Sequence, residues 1–166
     1  STSTALNNFA VRDLITVSGT TNNNSTFTVK EVTDANNIVV EEIVTTETSD
    51  GSTTTTLDHT GFVTDKAKGD GYYSQPDGVH TVAYQVLNRG DSTDDFNGTV
   101  KMQASLATTP TEDDWFDISG TTFTSDTSTK IASYNFTGNF VWVRAKVETT
   151  NGSSNGAMIT SILLNH

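Results

Sequence analysis

The stretch that most constrains this chain runs Asn135-Phe136-Thr137-Gly138-Asn139-Phe140-Val141-Trp142-Val143-Arg144-Ala145-Lys146-Val147. It alternates. In an extended strand Val141, Val143, Ala145 and Val147 share one side, with Phe140, Trp142, Arg144 and Lys146 on the other. A face made only of Val and Ala predicts a sandwich core. The opposite face sets Trp142 two residues from Arg144, a spacing that lets a guanidinium stack on the indole. Asn and Gly close both ends, at Thr137-Gly138-Asn139 and Thr150-Asn151-Gly152. The expectation is the central strand of an antiparallel β-sandwich.

Other runs fit the same class. Strands are expected over 13–18, 25–33 and 38–44. A polar excursion carries the hairpin signal Asp50-Gly51, and a returning strand holds Thr55, Leu57 and His59. A second series covers 79–87, with Val82, Tyr84 and Val86 together, and 100–106, with Val100, Met102, Ala104 and Leu106 inward and Lys101, Gln103 and Ser105 outward. Shorter strands follow near 113–118, 120–123 and 130–136. A last strand over 157–164 turns Met158, Ile162 and Leu164 to the core. No window shows a helical period, and strands every 8–12 residues with turns between them indicate an all-β fold. The division expected is a small β-meander or barrel-like module over 1–60, a linker loop over 61–78, and an antiparallel, jelly-roll-like sandwich over 79–166.

Composition sharpens this. Thr supplies 32 of the 166 residues, and Val, Ile, Leu and Phe together only 37. That share lies just above the level of about 20% below which chains tend to stay unfolded. So thin a core predicts help from oligomerisation or from docking on a larger surface. The 20 acidic against 9 basic residues, net −11, argue against nucleic-acid binding, which needs clustered Lys and Arg. There is no Cys, hence no disulfide or thiolate metal site. No run approaches the roughly 18 apolar residues of a membrane span, and no signal-peptide core is present. The start Ser1-Thr2-Ser3-Thr4 reads as one exposed by loss of an initiator Met, with synthesis inside a cell.

Candidate chemistry is sparse. His59, His80 and His166 lack metal-ligand spacing and read as surface or loop residues. Asp91, Asp94 and Asp95 lack the alternation and bidentate Glu of a calcium loop, so no metal or other cofactor is expected. Glu112, Asp113 and Asp114 are adjacent acids that diverge on a strand rather than a glycosidase pair, with Trp115 and Phe116 packed at the sandwich edge. There is no Gly-x-Ser-x-Gly elbow, phosphate loop or dinucleotide fingerprint. The sequons at Asn23, Asn24, Asn97, Asn135 and Asn151, and Arg89-Gly90-Asp91, are what an Asn- and Thr-rich chain yields by chance. No enzyme activity is expected. The residues singled out for an interface or a stacking platform are Tyr72, Tyr73, Trp115, Trp142 and Arg144.

A resemblance adds to this. Asp13-Leu14-Ile15-Thr16-Val17-Ser18-Gly19-Thr20, Thr26-Phe27-Thr28-Val29 and Asn37-Ile38-Val39-Val40 resemble small β-modules of tailed-bacteriophage structural proteins. So do Asp113-Asp114-Trp115-Phe116, the 135–145 run and the closing Ile159-Thr160-Ser161-Ile162-Leu163-Leu164-Asn165-His166, with marine cyanophages the nearest match. The resemblance implies a virion component made in the host cytoplasm, most simply a capsid decoration or cement protein. Its partners would be the major capsid protein or a tail protein, and copies of itself, with a trimer favoured. A tail, neck or fibre component is the second expectation within that class. A carbohydrate- or receptor-binding module, using the exposed aromatics, is the alternative outside it.

Overall fold

A computed structural model of the chain describes residues 6–48, 51, 54–74, 78–88, 95–149 and 159–165. It is all-β. The first three strands, β1 (Asp13–Ser18), β2 (Thr26–Asp34) and β3 (Asn37–Val40), form successive antiparallel hairpins, and β4 (Thr56–Val63) returns to pair with β1. The order β3-β2-β1-β4 is that of a Greek key rather than a continued meander. The reason lies after β3, where residues 41–48 make no tight turn, and the next strand pairs with β1 instead of β3. Asp50 of the expected hairpin signal lies outside the described residues.

The rest of the chain adds β5 (Ala67–Lys68), β6 (Val79–Val86), β7 (Gly98–Ser105), β8 (Phe116–Asp117), β9 (Phe123–Thr124), β10 (Ile131–Thr137), β11 (Trp142–Thr149) and β12 (Ile159–Asn165). Two antiparallel sheets result. The larger runs β3-β2-β1-β4-β11-β7-β8, with β5 also on β11 and β9 also on β7. The smaller is β10-β6-β12. The expected central strand is therefore β11, set between β4 and β7.

The two sheets pack face to face as a sandwich. Val143, Ala145 and Val147 of β11 and Val100, Met102 and Ala104 of β7 meet Val82, Tyr84 and Val86 of β6 and Phe136 of β10 in one buried cluster, as their alternation predicts. Leu106 departs from the pattern and is 63% exposed, because β7 ends at Ser105. Buried hydroxyls inside this cluster find partners, although His59 Nδ1 and Thr149 Oγ1 elsewhere in the larger sheet are buried without one among the described residues. The Tyr84 hydroxyl donates to Thr121 O at 2.9 Å, and Thr121 itself links Ile118 O (2.7 Å) to Met102 N–H (3.1 Å). Burial pushes the Tyr84 hydroxyl above its ordinary pKa.

The 61–78 stretch is more than a linker. Residues 61–63 belong to β4, β5 pairs with β11, and Asp70–Tyr73 form a 3₁₀ turn. The larger sheet thus runs without a break from the Greek key into the sandwich. At the crossing, Gly61 faces Leu14 on one side and Glu148 on the other, with φ +145°. A Cβ there would lie 1.9 Å from Val147 O, so no larger residue fits between the strands. The physical outcome is one long sheet covered along only part of its length by the three-stranded one.

Candidate binding surfaces

The uncovered part of that sheet makes the first surface. Asp13 faces Phe62, which faces Val147, so Ile15 and Val17, two and four residues on, continue the sandwich-facing side into the Greek key. There they join Phe27, Val29, Ile38, Val40 and Leu57. At one end Phe9, next to the 3₁₀ turn Leu6–Asn8, closes over this face. At the other it opens into a groove of about 850 Å³ floored by Ile15, Val17, Phe27, Ile38, Val40 and Leu57.

The wall of the groove is a strap, residues 41–48, that takes over where β3 stops. The chain was expected to stay in strand to Val44, but β3 ends at Val40 because the Glu42 carboxylate occupies the next pairing site. Both its oxygens accept from Thr28 N–H, at 2.9 and 2.8 Å. Further along, the Glu47 carboxylate accepts from Thr21 N–H (2.7 Å), Asn22 N–H (2.9 Å) and the Asn23 side-chain amide. Asn23 also accepts from Thr45 N–H at 2.8 Å and donates to Thr45 O at 2.9 Å. The amide donors at residues 21 and 22 hold the Glu47 carboxyl below its ordinary pKa. Ile43 and Val44, on this strap, are exposed, Ile43 at 97%.

The second surface collects the residues singled out from the sequence, but in two groups. Tyr72 packs edge-on against both Tyr73 (5.3 Å) and Trp142 (5.0 Å). Lys68 Nζ stands over the Tyr72 ring at 4.1 Å and Lys66 Nζ over Trp142 at 4.6 Å. The Trp142 Nε1–H donates to Thr108 O at 3.1 Å. Arg144 does not stack on Trp142. It lies over Trp115 at 4.2 Å, and Glu112 holds it through two hydrogen bonds. The two-residue spacing puts Trp142 and Arg144 on one face of β11, yet Trp115 arrives from the loop before β8 and takes the guanidinium. Sequence reading had no signal for that loop contact, nor for the lysines of the 66–68 segment.

As a sugar platform the two indoles are compromised. Both are half-buried and each has a ring face occupied by a cation, leaving Tyr72 (44% exposed) and Tyr73 (58% exposed) as the more open rings, although Lys68 also stands over Tyr72. Around them the outer face of the larger sheet is laced with charge. Lys101 reaches Asp117 (2.8 Å) and Glu148 (3.3 Å), and Lys146 reaches Glu148 (3.0 Å). The adjacent acids diverge, but on the 3₁₀ turn Glu112–Asp114 rather than on the expected strand, which is reduced to Phe116–Asp117. Glu112 binds Arg144, while Asp114 caps its own turn by accepting from Thr111 N–H at 2.7 Å.

The histidines correct the expectation of surface positions. His80 is fully buried in β6, stacked on Phe136 at 5.0 Å and near Phe140 at 6.1 Å. His59 sits in β4, 3.3 Å from Asp13 and stacked on Phe9 at 6.4 Å. Alternation explains both, since His80 shares the inward face with Val82 and Tyr84 and His59 shares that of Leu57. His166, Asp91, Asp94 and the Arg89-Gly90-Asp91 tripeptide lie outside the described residues. Among the described residues no helix is long and apolar enough to cross a membrane. Comparison with protein families, curated proteins and solved structures finds no match to this chain.

Proposed function

We propose that this chain is a non-enzymatic structural protein of a phage particle, a decoration or cement protein that binds the particle surface and stabilises it. The observation that carries the reading is the open groove of the Greek key. An apolar sheet face is normally covered by a second layer. Here the covering layer stops short, and the floor of Ile15, Val17, Ile38, Val40 and Leu57 is left facing a groove whose strap displays Ile43 and Val44. A single chain that leaves such a face open is built to complete it against a partner, and that partner is the major protein of the shell. The resemblance to phage β-modules spans these same strands. A tail, neck or fibre position would use the groove in the same way. The glycan-binding alternative has the exposed Tyr72 and Tyr73 in its favour, with both indoles partly covered against it.

Mixing the purified chain with empty phage shells and sedimenting them tests the reading. Saturable co-sedimentation that raises the shells' melting temperature is the expected result, and Ile43→Lys with Val44→Lys, both at exposed positions, should abolish it. Shells left bare at saturating protein, with a glycan array giving discrete hits, would transfer the assignment to the carbohydrate-binding module.

A further inference from the structure

The two exposed sheet faces of the sandwich differ in kind. The outer face of the larger sheet carries Lys101, Asp117, Arg144, Lys146 and Glu148. The three-stranded sheet, by contrast, contains no Asp, Glu, Lys or Arg in any of its strands, β6, β10 or β12, although the chain holds 29 such residues. Its outward positions form ladders across the strands. Ser133 faces Ala83, which faces Leu163, and Ile131 faces Gln85, which faces Ser161. Ile131, Leu163 and Val79 on this face are all more than half exposed.

The edge strands of this sheet are equally free of charge. β10 and β12 each have β6 as their one strand neighbour among the described residues. Edge strands in soluble proteins are usually blunted by charge or by Pro. Neither occurs in Ile131–Thr137 or Ile159–Asn165.

We infer that the outer face of the β10-β6-β12 sheet is the surface on which a second copy of this chain docks. Charge selects the occupant. A nucleic acid or an anionic membrane would call for Lys and Arg here, and a basic partner for Asp and Glu. Two copies of a chain with net charge −11 repel, and they meet at least cost where neither presents a carboxylate. The other exposed sheet surfaces do not offer this. The Greek key carries Lys30 and Asp58 on its outer side and Glu42 and Glu47 at its groove. An uncharged face with apolar side chains is complementary to itself, as a two-fold contact requires. The inference stands apart from which partner fills the groove.

The test is the mass in solution, by light scattering and sedimentation across a wide concentration range, of the wild type and of Ser133→Glu/Leu163→Glu. These positions are exposed, so the added carboxylates leave the core untouched. The expected result is an oligomer for the wild type and at least a tenfold weaker association for the variant, with the circular dichroism spectrum and melting unchanged. A wild type that stays monomeric, or an oligomer indifferent to both charges, overturns the inference. If the double variant does not fold, the absence of native Cys supplies a second measurement. Leu163→Cys should form a disulfide-linked dimer far faster than Asn36→Cys, at a turn remote from the sheet, and equal rates would count against the face. A monomer that coats shells and loses them on Ser133→Glu would assign the face to the particle instead, which also overturns it.

Discussion

Arg144 and Glu112 are locked together by two parallel hydrogen bonds, of 2.8 and 2.6 Å, at a position where Arg144 is only 7% exposed. The guanidinium Nε–H donates to Gln103 at 3.0 Å, and the Trp115 ring covers its face. This one side chain therefore ties the 3₁₀ turn before β8 to the middle of the larger sheet.

Removing one partner leaves the other charge buried. Glu112→Ala should destabilise the fold by about 3 kcal/mol, as loss of one member of a buried pair usually does. Arg144→Lys keeps the charge but loses the fork and the stack, and should cost somewhat less. Urea unfolding of the two variants checks this. A loss under about 0.5 kcal/mol, the level of an exposed pair, would mean the turn and the sheet are held together by something else.

Gly61→Ala tests the junction between the Greek key and the sandwich. The added methyl meets Val147 O where three strands cross, so a loss of about 2–4 kcal/mol is expected, with greater hydrogen-exchange in β1 and β4. Protection that falls uniformly over the chain instead of around this crossing would show that the junction is not its own cooperative unit.

Val143→Asp places a carboxylate on the fully buried face of β11. The cost should exceed about 4 kcal/mol, a large part of the roughly 5–15 kcal/mol that holds a domain folded. The variant is expected to lack a cooperative melting transition. Wild-type-like melting would show that β11 is not the central strand of the core.

Stability should fall in acid. The carboxyls of Asp34, Glu47, Asp114 and Asp126 are held below their ordinary pKa by donors at nearby backbone amides and hydroxyls. A depressed native pKa means the unfolded chain binds protons more readily, so the contribution is complete above the ordinary values of 4.5 for Glu and 3.8 for Asp. It is lost as pH falls through the lower native values. Melting temperature should be level near neutrality and drop below about pH 4.5. Glu47→Gln should remove part of that drop and loosen the strap, and an acid profile identical to wild type would mean Glu47 does not hold it.

Much of the fold is written locally. Alternation in 79–86 and 142–149 is enough to say which apolar side chains face inward, because a strand has a period of two and apolar burial decides which of its faces turns in, whereas in 13–18 the neighbours Leu14 and Ile15 are both buried. Asn and Gly mark the turns for equally local reasons. Val143, Ala145, Val147, Val82, Tyr84 and Val100 could all be assigned to the core before any coordinates. His80 belonged with them on alternation, but its polarity argued the other way, and stacking between Phe136 and Phe140 decided it.

What the residues alone determined, then, is the class and the inward faces. What only the tertiary structure decided is which strands are neighbours and how far one layer covers the other. β4 pairing back on β1, Trp115 rather than Trp142 stacking on Arg144, and the groove over Ile15 and Val17 each depend on contacts between segments tens of residues apart. Side-chain period carries no information about such pairings. The charge-free strands β6, β10 and β12 were visible in the sequence from the start, and only their assembly into one sheet makes a surface of them.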